Sequence, residues 1–503
     1  MTDYLALSTD GVVATPDGKT LEFKRDLSSP DSPLRTIVAF ANSAGGRLVV
    51  GVADDGTVVG VDDPLAEEER IANLIDDRIS PQLVPAIDLV TLRGKTVLIV
   101  DVPLSTRRPH YITRQDPGAG VYVRLGSTTR QADSALVAEL ERNACGIAFE
   151  DLPEPRAALK DLDLEVLSKL RGRNTSVADL LARGLAVKQG DQIVPTNAGI
   201  LAACPDPTRF LPSAWVQCGR LRGPHGTDIF DQTEIHGPMP QAVDHAVEFL
   251  LKHAYKTAVF GQVRRRDIYS IPIEPIREVI VNALVHASYA ERGTPIRIGF
   301  YDDRIQVDSP GLLLPGMTID TMRRVSRLRN PALARIFREA GIMEQWGTGV
   351  QRVFEQVAEA GLPEPVIEEV QDRVRVTIYI PNHDPQQATA HGAREPEGEA
   401  QKPAEDHNHP EHTYTHSNDG RYDGRYDVVM MRAAAHGPVH RNALLEAAGL
   451  KPLSQNYTRH VVPLVNRGLL AMTVPDKPRS KAQRYILTDE GRAYLRHLTE
   501  GSE

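Results

Sequence analysis

Apolar positions change period along the chain, and each change marks a different element. Thr20-Leu21-Glu22-Phe23-Lys24 alternates with a period of two and predicts a strand. Leu34, Ile37, Val38 and Ala41 recur at helical spacing and predict an amphipathic helix over 33–44, ended by Gly45-Gly46. Arg47 to Val52 then reads as a buried strand, and Asp54-Asp55-Gly56 turns the chain back. Short helices are expected over 161–170 and 176–185, then a strand running into an apolar segment over 191–202. A strand over 215–221 and an amphipathic helix over 241–255 follow.

The stretch 277–286 has a helical period but more polarity than a core helix needs. Glu278, Asn282 and His286 fall four apart and share one face, while Val279, Ile280, Ala283, Leu284 and Val285 supply the apolar side. A carboxylate, an amide and an imidazole in one row point to a ligand site; the plain alternative is an amphipathic helix with a polar stripe. Residues 296–301 and 304–307 predict a hairpin turning at Asp302-Asp303, and Asp308-Ser309-Pro310-Gly311 reads as a loop. Gly347-Thr348-Gly349 exposes backbone N–H groups to phosphate, and a helix beginning near Val350 adds its positive end. Between the glycine turns, Ser326-Arg327-Leu328-Arg329-Asn330-Pro331 suits either a lid over phosphate or a solvated connector.

Residues 382–424 are poor in apolar residues and read as a disordered linker. Its histidines, His407, His409, His412 and His416, have no fixed partner and read as adventitious metal binders at most. Beyond it, 426–435, 441–448 and 453–467 look helical, followed by two strands around a basic turn of Lys477, Arg479, Lys481 and Arg484.

Length and charge narrow the functional classes. A chain of 503 residues holds about three or four domains. Its net charge of −9 argues against binding nucleic acid over the whole surface, so such contacts must be local. Cys145, Cys204 and Cys218 form no metal-ligand spacing and no paired framework, which suits a reducing cytoplasm. There is neither a signal-like N-terminus nor a membrane-length apolar run, and no Gly-x-x-x-x-Gly-Lys-Ser/Thr loop of a helicase motor.

The ordered set of Glu278, Asn282, Asp308, Gly311 and Gly347-Thr348-Gly349 resembles the Bergerat-type ATP-binding fold of DNA gyrase, heat-shock chaperones and histidine kinases, in the divergent form of certain bacterial transcriptional regulators. The resemblance implies that Glu278 polarises the attacking water and Asn282 holds Mg2+. It implies that Asp308 binds adenine, and that Gly311, Gly347, Thr348 and Gly349, with His286 alongside, line the ATP site. His286 stands where an acid is commoner and Pro310 crowds the first glycine turn, so binding is better supported than hydrolysis.

The order Glu22-Phe23-Lys24, Phe40-Ala41-Asn42, Gly45-Gly46, Gly51-Val52-Ala53-Asp54 and Gly120 to Thr129 resembles the AlbA-like domain of Schlafen proteins. This implies a module for DNA or RNA, with Lys24, Arg25, Arg124, Ser127, Thr128 and Arg130 as phosphate contacts. By the same resemblance Asp17, Glu22 and Asp54 match three carboxylates of a metal-dependent ribonuclease centre, which is the alternative function. Residues 425–503 resemble a winged helix-turn-helix, offering Asn456 and Arg459 to bases and Lys477, Arg479 and Lys481 to phosphate.

The expected organisation is an α/β multidomain chain. An AlbA-like α/β domain occupies 1–145, a helical bridge 146–210, an α/β sandwich ATP-binding domain 211–381, a linker 382–424 and a winged helix 425–503. The expected function is a cytoplasmic, homo-oligomeric regulator whose nucleic-acid binding is switched by ATP and Mg2+, with no membrane partner.

Overall fold

The computed structural model describes residues 3–8, 12–115, 118–223, 226, 228–260, 265–344 and 347–381, then 425–435, 437–450, 469–473, 484–488, 490–492 and a few isolated positions beyond 459. The chain is a mixed α/β protein with several sheets, and it divides into two compact units, Met1–Glu397 and Gly398–Glu503.

The first unit opens with β1 (Leu21–Lys24), α1 (Asp31–Asn42), β2 (Gly46–Val50), α2 (Pro64–Arg78), β3 (Ala86–Leu92) and β4 (Lys95–Val102). They build a sheet in the order β1-β2-β4-β3, in which β1 and β2 are parallel and the other pairs antiparallel. The α1 stripe Leu34, Ile37, Val38 and Ala41 is fully buried against Leu48, Val50, Leu98 and Val100 of β2 and β4. Gly46 is required where α1 meets β2, because a Cβ there would collide with the Phe40 ring at 2.7 Å. A second layer comes from β5 (Tyr122–Leu125), β6 (Thr128–Gln131) and α3 (Ser134–Ala144). Asn42, at the end of α1, fastens that layer by donating to the carbonyls of His110 (2.9 Å) and Tyr122 (3.0 Å).

Next come α4 (Leu164–Arg171), α5 (Val177–Ala182), the hairpin β7 (Ala186–Gln189) and β8 (Gln192–Pro195), and α6 (Asn197–Ala203). This segment mixes helices with a hairpin, and its apolar residues share one continuous core with everything up to Ile380. The larger sheet contains β9 (Val216–Arg222), β10 (Asp228–Ile235), β11 (Ile296–Phe300), β12 (Arg304–Pro310), β13 (Val366–Val370) and β14 (Arg373–Tyr379), in the order β10-β9-β11-β12-β14-β13. Its helices are α7 (Met239–His253), α8 (Ile273–His286), α9 (Pro331–Glu339) and α10 (Gly349–Glu359). Strand β12 runs on through Asp308, Ser309 and Pro310, where the sequence suggests a loop. Buried Asn330 donates to the carbonyls of Val285 and Ala287, both at 2.9 Å, and so ties the start of α9 to the end of α8.

In the second unit α11 (Arg425–Ala435) and α12 (Arg441–Ala447) pack with the antiparallel strands β15 (Leu470–Met472) and β16 (Tyr485–Leu487) around Met430, Leu444, Leu445 and Leu464. A bridge from Val439 to Tyr485 extends this small sheet. Most of the expected helix over 453–467, the proposed contacts Asn456, Arg459, Lys477, Arg479 and Lys481, and the histidines of 382–424 lie outside the described residues. Among the described residues no helix is long and apolar enough to cross a membrane.

Candidate functional site

A cleft with about 1180 Å³ of empty space, its open mouth included, lies between α8, α10 and one face of the larger sheet. Glu278, Asn282 and His286 all line it, as the four-residue spacing on α8 requires. Val307, Val374, Val376 and Ile367 form its apolar floor, and Leu312, Leu313, Leu314 and Met317 cover it from the segment after β12. Gly311, Gly347, Thr348 and Gly349 also line it, so the distant glycine turns meet the helix row at one place.

The polar end of the cleft is organised around Glu278. Its carboxylate accepts from the Asn282 amide (3.3 Å) and pairs with Arg352 of α10 at 3.0 Å, while Arg352 also reaches Glu344 at 2.5 Å. Gly349, the first residue of α10, lies so close that a Cβ there would overlap Glu278 Oε1. The N-terminus of α10, where unpaired N–H groups favour an anion, is thus backed by a carboxylate of the chain itself. Gly347 and Gly311 have φ of +68° and +96°, a backbone region that disfavours any side chain. At Gly311 a Cβ would also press on Ser288 (2.8 Å) and the Arg329 guanidinium (3.1 Å).

Asp308 does not reach the cleft, which corrects its expected adenine-binding role. Because β12 continues as a strand, side chains alternate across it: Val307 and Ser309 face α8, and Asp308 faces the other side. There Asp308 is held by both nitrogens of Arg375, at 2.7 and 2.8 Å. Ser309, two residues before Gly311, is the polar side chain on the cleft side, and its hydroxyl donates to Ala283 O at 3.0 Å. Strand alternation extended past Val307 is the signal that finds it. Ser326, Arg327 and Arg329, from the segment read as either a lid over phosphate or a solvated connector, also line the cleft, whereas Arg352, one helical turn after Thr348, was missed.

The imidazole of His286 is pushed down to about 4, first by burial and then by the Arg329 guanidinium, so it is neutral at pH 7. Arg329 is itself engaged, pairing with Glu139 of α3 and donating to Leu312 O. Other links join the cleft wall to the AlbA-like half. Lys19 pairs with Glu369 of β13 at 2.5 Å, Glu369 accepts from Leu313 N (2.9 Å), and Gly316 N donates to Ser43 O (2.7 Å).

In the AlbA-like half the singled-out residues separate into two groups. Arg25, Ser127, Thr128 and Arg130 are exposed around β1 and the β5–β6 turn. Arg124 is only 1% exposed, so its expected phosphate contact is corrected. It pairs with buried Glu22 (2.9 Å), donates to Thr129 Oγ1 (3.0 Å) and lies over the Phe40 ring. Lys24 also pairs with Glu22, at 2.5 Å. Asp17 accepts from Phe23 N at 2.8 Å, while Asp54 is exposed in the turn after β2. Asp17 lies near enough to Glu22 to feel its charge, but among the described residues no group of three His, Cys, Asp or Glu side chains is placed to hold a metal ion.

Known families match in three places. Residues 17–133 match the family described as "Schlafen, AlbA_2", and residues 293–378 match "Putative ATP-dependent DNA helicase recG C-terminal". Residues 428–488 match "Filamentation induced by cAMP protein Fic-like, C-terminal domain". The chain therefore carries a Schlafen AlbA_2 domain and a RecG-like C-terminal ATPase-type domain. Helix α8, with Glu278 and Asn282, precedes the matched ATPase residues. Among solved structures, the DIP2311 protein of Corynebacterium diphtheriae is 21% identical, with 75% of this chain and 79% of that one covered and a TM-score of 0.39. The N-terminal domain of a RecG-related DNA helicase-type protein of Nitrosomonas europaea is 30% identical, covering 24% of this chain and 86% of that one, with a TM-score of 0.19. No curated protein matches the chain.

Proposed function

We propose that the cleft binds Mg-ATP and that its occupancy regulates nucleic-acid binding by the AlbA_2 domain, the chain acting as a nucleotide-switched, homo-oligomeric DNA-binding regulator. The observation that carries this reading is the convergence of Glu278, Asn282 and the Gly347-Thr348-Gly349 turn on one cleft, from positions about seventy residues apart. The donor set suits the ligand, and glycine is needed at both turns: a Cβ on Gly311 would press on Ser288 and Arg329, and one on Gly349 would overlap the Glu278 carboxylate. Asn282 donates its amide nitrogen to Glu278, which leaves the carboxamide oxygen to Mg2+. Gly347, Thr348 and Gly349 offer backbone N–H groups to phosphate, and Ser309 with neutral His286 offers uncharged polar contacts deeper in the cleft. Bound Mg-ATP would supply a metal-shielded triphosphate.

Glu278 is the proposed base, yet Arg352 holds its carboxylate. Turnover needs that pair to open, so sensing without rapid hydrolysis is the favoured mode. The domain limits at 145, 210, 381 and 424, and the DNA-reading winged helix after 424, belong to this proposal. Isothermal titration with ATP and Mg2+ tests it: the wild type binds, and Asn282→Ala binds at least tenfold more weakly. A wild type that takes up no heat beyond dilution removes the switch.

A further inference from the structure

With Arg124 buried and Lys24 paired to Glu22, Arg25 and Arg130 are the exposed cations left among the expected contacts of the AlbA_2 half, and the junction with the cleft wall adds a denser group. Residues 103–115 contain three arginines and no acid, and residues 311–330 contain four arginines and one acid, in a chain of net charge −9. The two segments touch: a Cβ on Gly316 would meet Leu104 Cδ2 at 2.9 Å and Arg327 Nη1 at 3.0 Å. Arg107, Arg324 and Arg327 are exposed and Arg108 is half-buried. None of the four forms a salt bridge among the described residues. Arg108 Nε is buried without a hydrogen-bond partner. Arg108 and Arg327 are near enough to repel, a cost that a shared anion removes. By contrast, neighbouring Arg323 is already used, pairing with Glu364 and stacking 3.6 Å over Phe354.

We infer that Arg107, Arg108, Arg324 and Arg327 form a strip for the phosphodiester backbone of a nucleic acid, running from the AlbA_2 domain onto the wall of the nucleotide cleft. The inference rests on the nucleic-acid reading above and deepens it by naming the surface. A polymer fits better than a second mononucleotide, because of the four only Arg327 lines the cleft and the others extend beyond it. The strip also explains how two ligands sense each other. Arg324 and Arg327 belong to the segment whose Leu312, Leu313, Leu314 and Met317 cover the cleft, so backbone contacts outside and nucleotide contacts inside bear on the same residues. Coupling of that kind is reciprocal.

The test is fluorescence anisotropy on the full chain, with a labelled duplex DNA and a labelled single-stranded RNA of equal length, across a salt series. Arg107→Glu/Arg324→Glu, two exposed positions, should weaken binding of at least one polymer tenfold or more and leave the melting midpoint unchanged. The slope of log Kd against log salt should fall by about two, one phosphate contact per arginine. The charge-removing pair Arg108→Gln/Arg327→Gln should act in the same direction. Wild-type binding that both pairs leave intact, while Arg25→Glu/Arg130→Glu abolishes it, overturns the strip and keeps the domain's nucleic-acid role. Unchanged polymer binding with weakened Mg-ATP affinity overturns it in favour of an accessory nucleotide site. A wild type that binds neither polymer overturns both readings.

Discussion

Two clusters of charged residues lie in the first unit, and the chain uses them in opposite ways. On α8, Glu278, Asn282 and His286 open onto a cleft with space for a ligand. On β1 and β5, Glu22 pairs with both Lys24 and Arg124, and Arg124 is buried with its Nε left without a partner. Residue type does not separate them, since each centres on a glutamate held by an arginine. What differs is solvent access and what surrounds the pair. Arg124 is 1% exposed and sits over Phe40, whereas the Arg352 side chain is 28% exposed and its helix begins beside Glu278. The first pair is a fixture of the fold, and the second is a contact that a ligand can replace.

Removing Arg124 is the most forceful way to break this contrast. Arg124→Ala leaves Glu22 as a buried, half-compensated carboxylate, a change that costs about 3–5 kcal/mol. Urea unfolding followed by far-ultraviolet circular dichroism should show an early transition, and Glu22→Gln/Arg124→Met should recover part of the loss. If Arg124→Ala unfolds like the wild type but no longer binds nucleic acid, the two clusters are alike after all. Arg352→Ala should cost far less, about 1 kcal/mol or under, because its pair is partly solvated.

The cleft cluster is sharpened by Gly349→Ala. A methyl group there overlaps Glu278 Oε1, so α10 must retreat or Glu278 must swing away, an overpacking strain of about 1–3 kcal/mol. Mg-ATP affinity should drop at least tenfold in calorimetry, and wild-type affinity in this variant would show that phosphate lies elsewhere. A smaller contrast separates the two faces of β12. Ser309→Ala should lose about 1 kcal/mol of stability with its bond to Ala283 and several-fold in nucleotide affinity. Asp308→Ala should leave nucleotide affinity within about twofold, since only a partly buried pair with Arg375, on the far face of the strand, goes. Equal losses from both would return Asp308 to the site.

The same contrast explains what was legible in the sequence. A helical row of polar residues is nearly self-defining, because 3.6-residue periodicity fixes the face and the apolar positions fix which side is core. Glu278, Asn282 and His286 were therefore readable together, and α1, β2 and α7 were readable for the same reason. Strand residues are decided by where the strand stops. Reading Asp308-Ser309-Pro310-Gly311 as a loop discarded the alternation that puts Ser309, and not Asp308, beside α8. Arg124 depended on a partner 102 positions away, and the four junction arginines on a packing of 103–115 against 311–330. No local pattern encodes either.

The mildest test concerns the proton on His286. Its folded value lies near 4, below the ordinary imidazole value, so between about pH 6.5 and 4 the unfolded chain binds a proton that the folded chain does not. Stability from this residue is therefore complete above that window and is lost as pH falls through it. Since other groups titrate in the same range, the informative quantity is a difference: the melting midpoint of the wild type minus that of His286→Gln. It should shrink from about pH 7 down to pH 4 and flatten only about one unit lower, where both states hold the proton. A gap that widens on acidification would mean that His286 is charged in the fold, paired with an anion. A cationic imidazole would then belong to the phosphate end of the cleft, and the distinction between a partly solvated glutamate–arginine pair and a neutral, half-buried histidine would disappear.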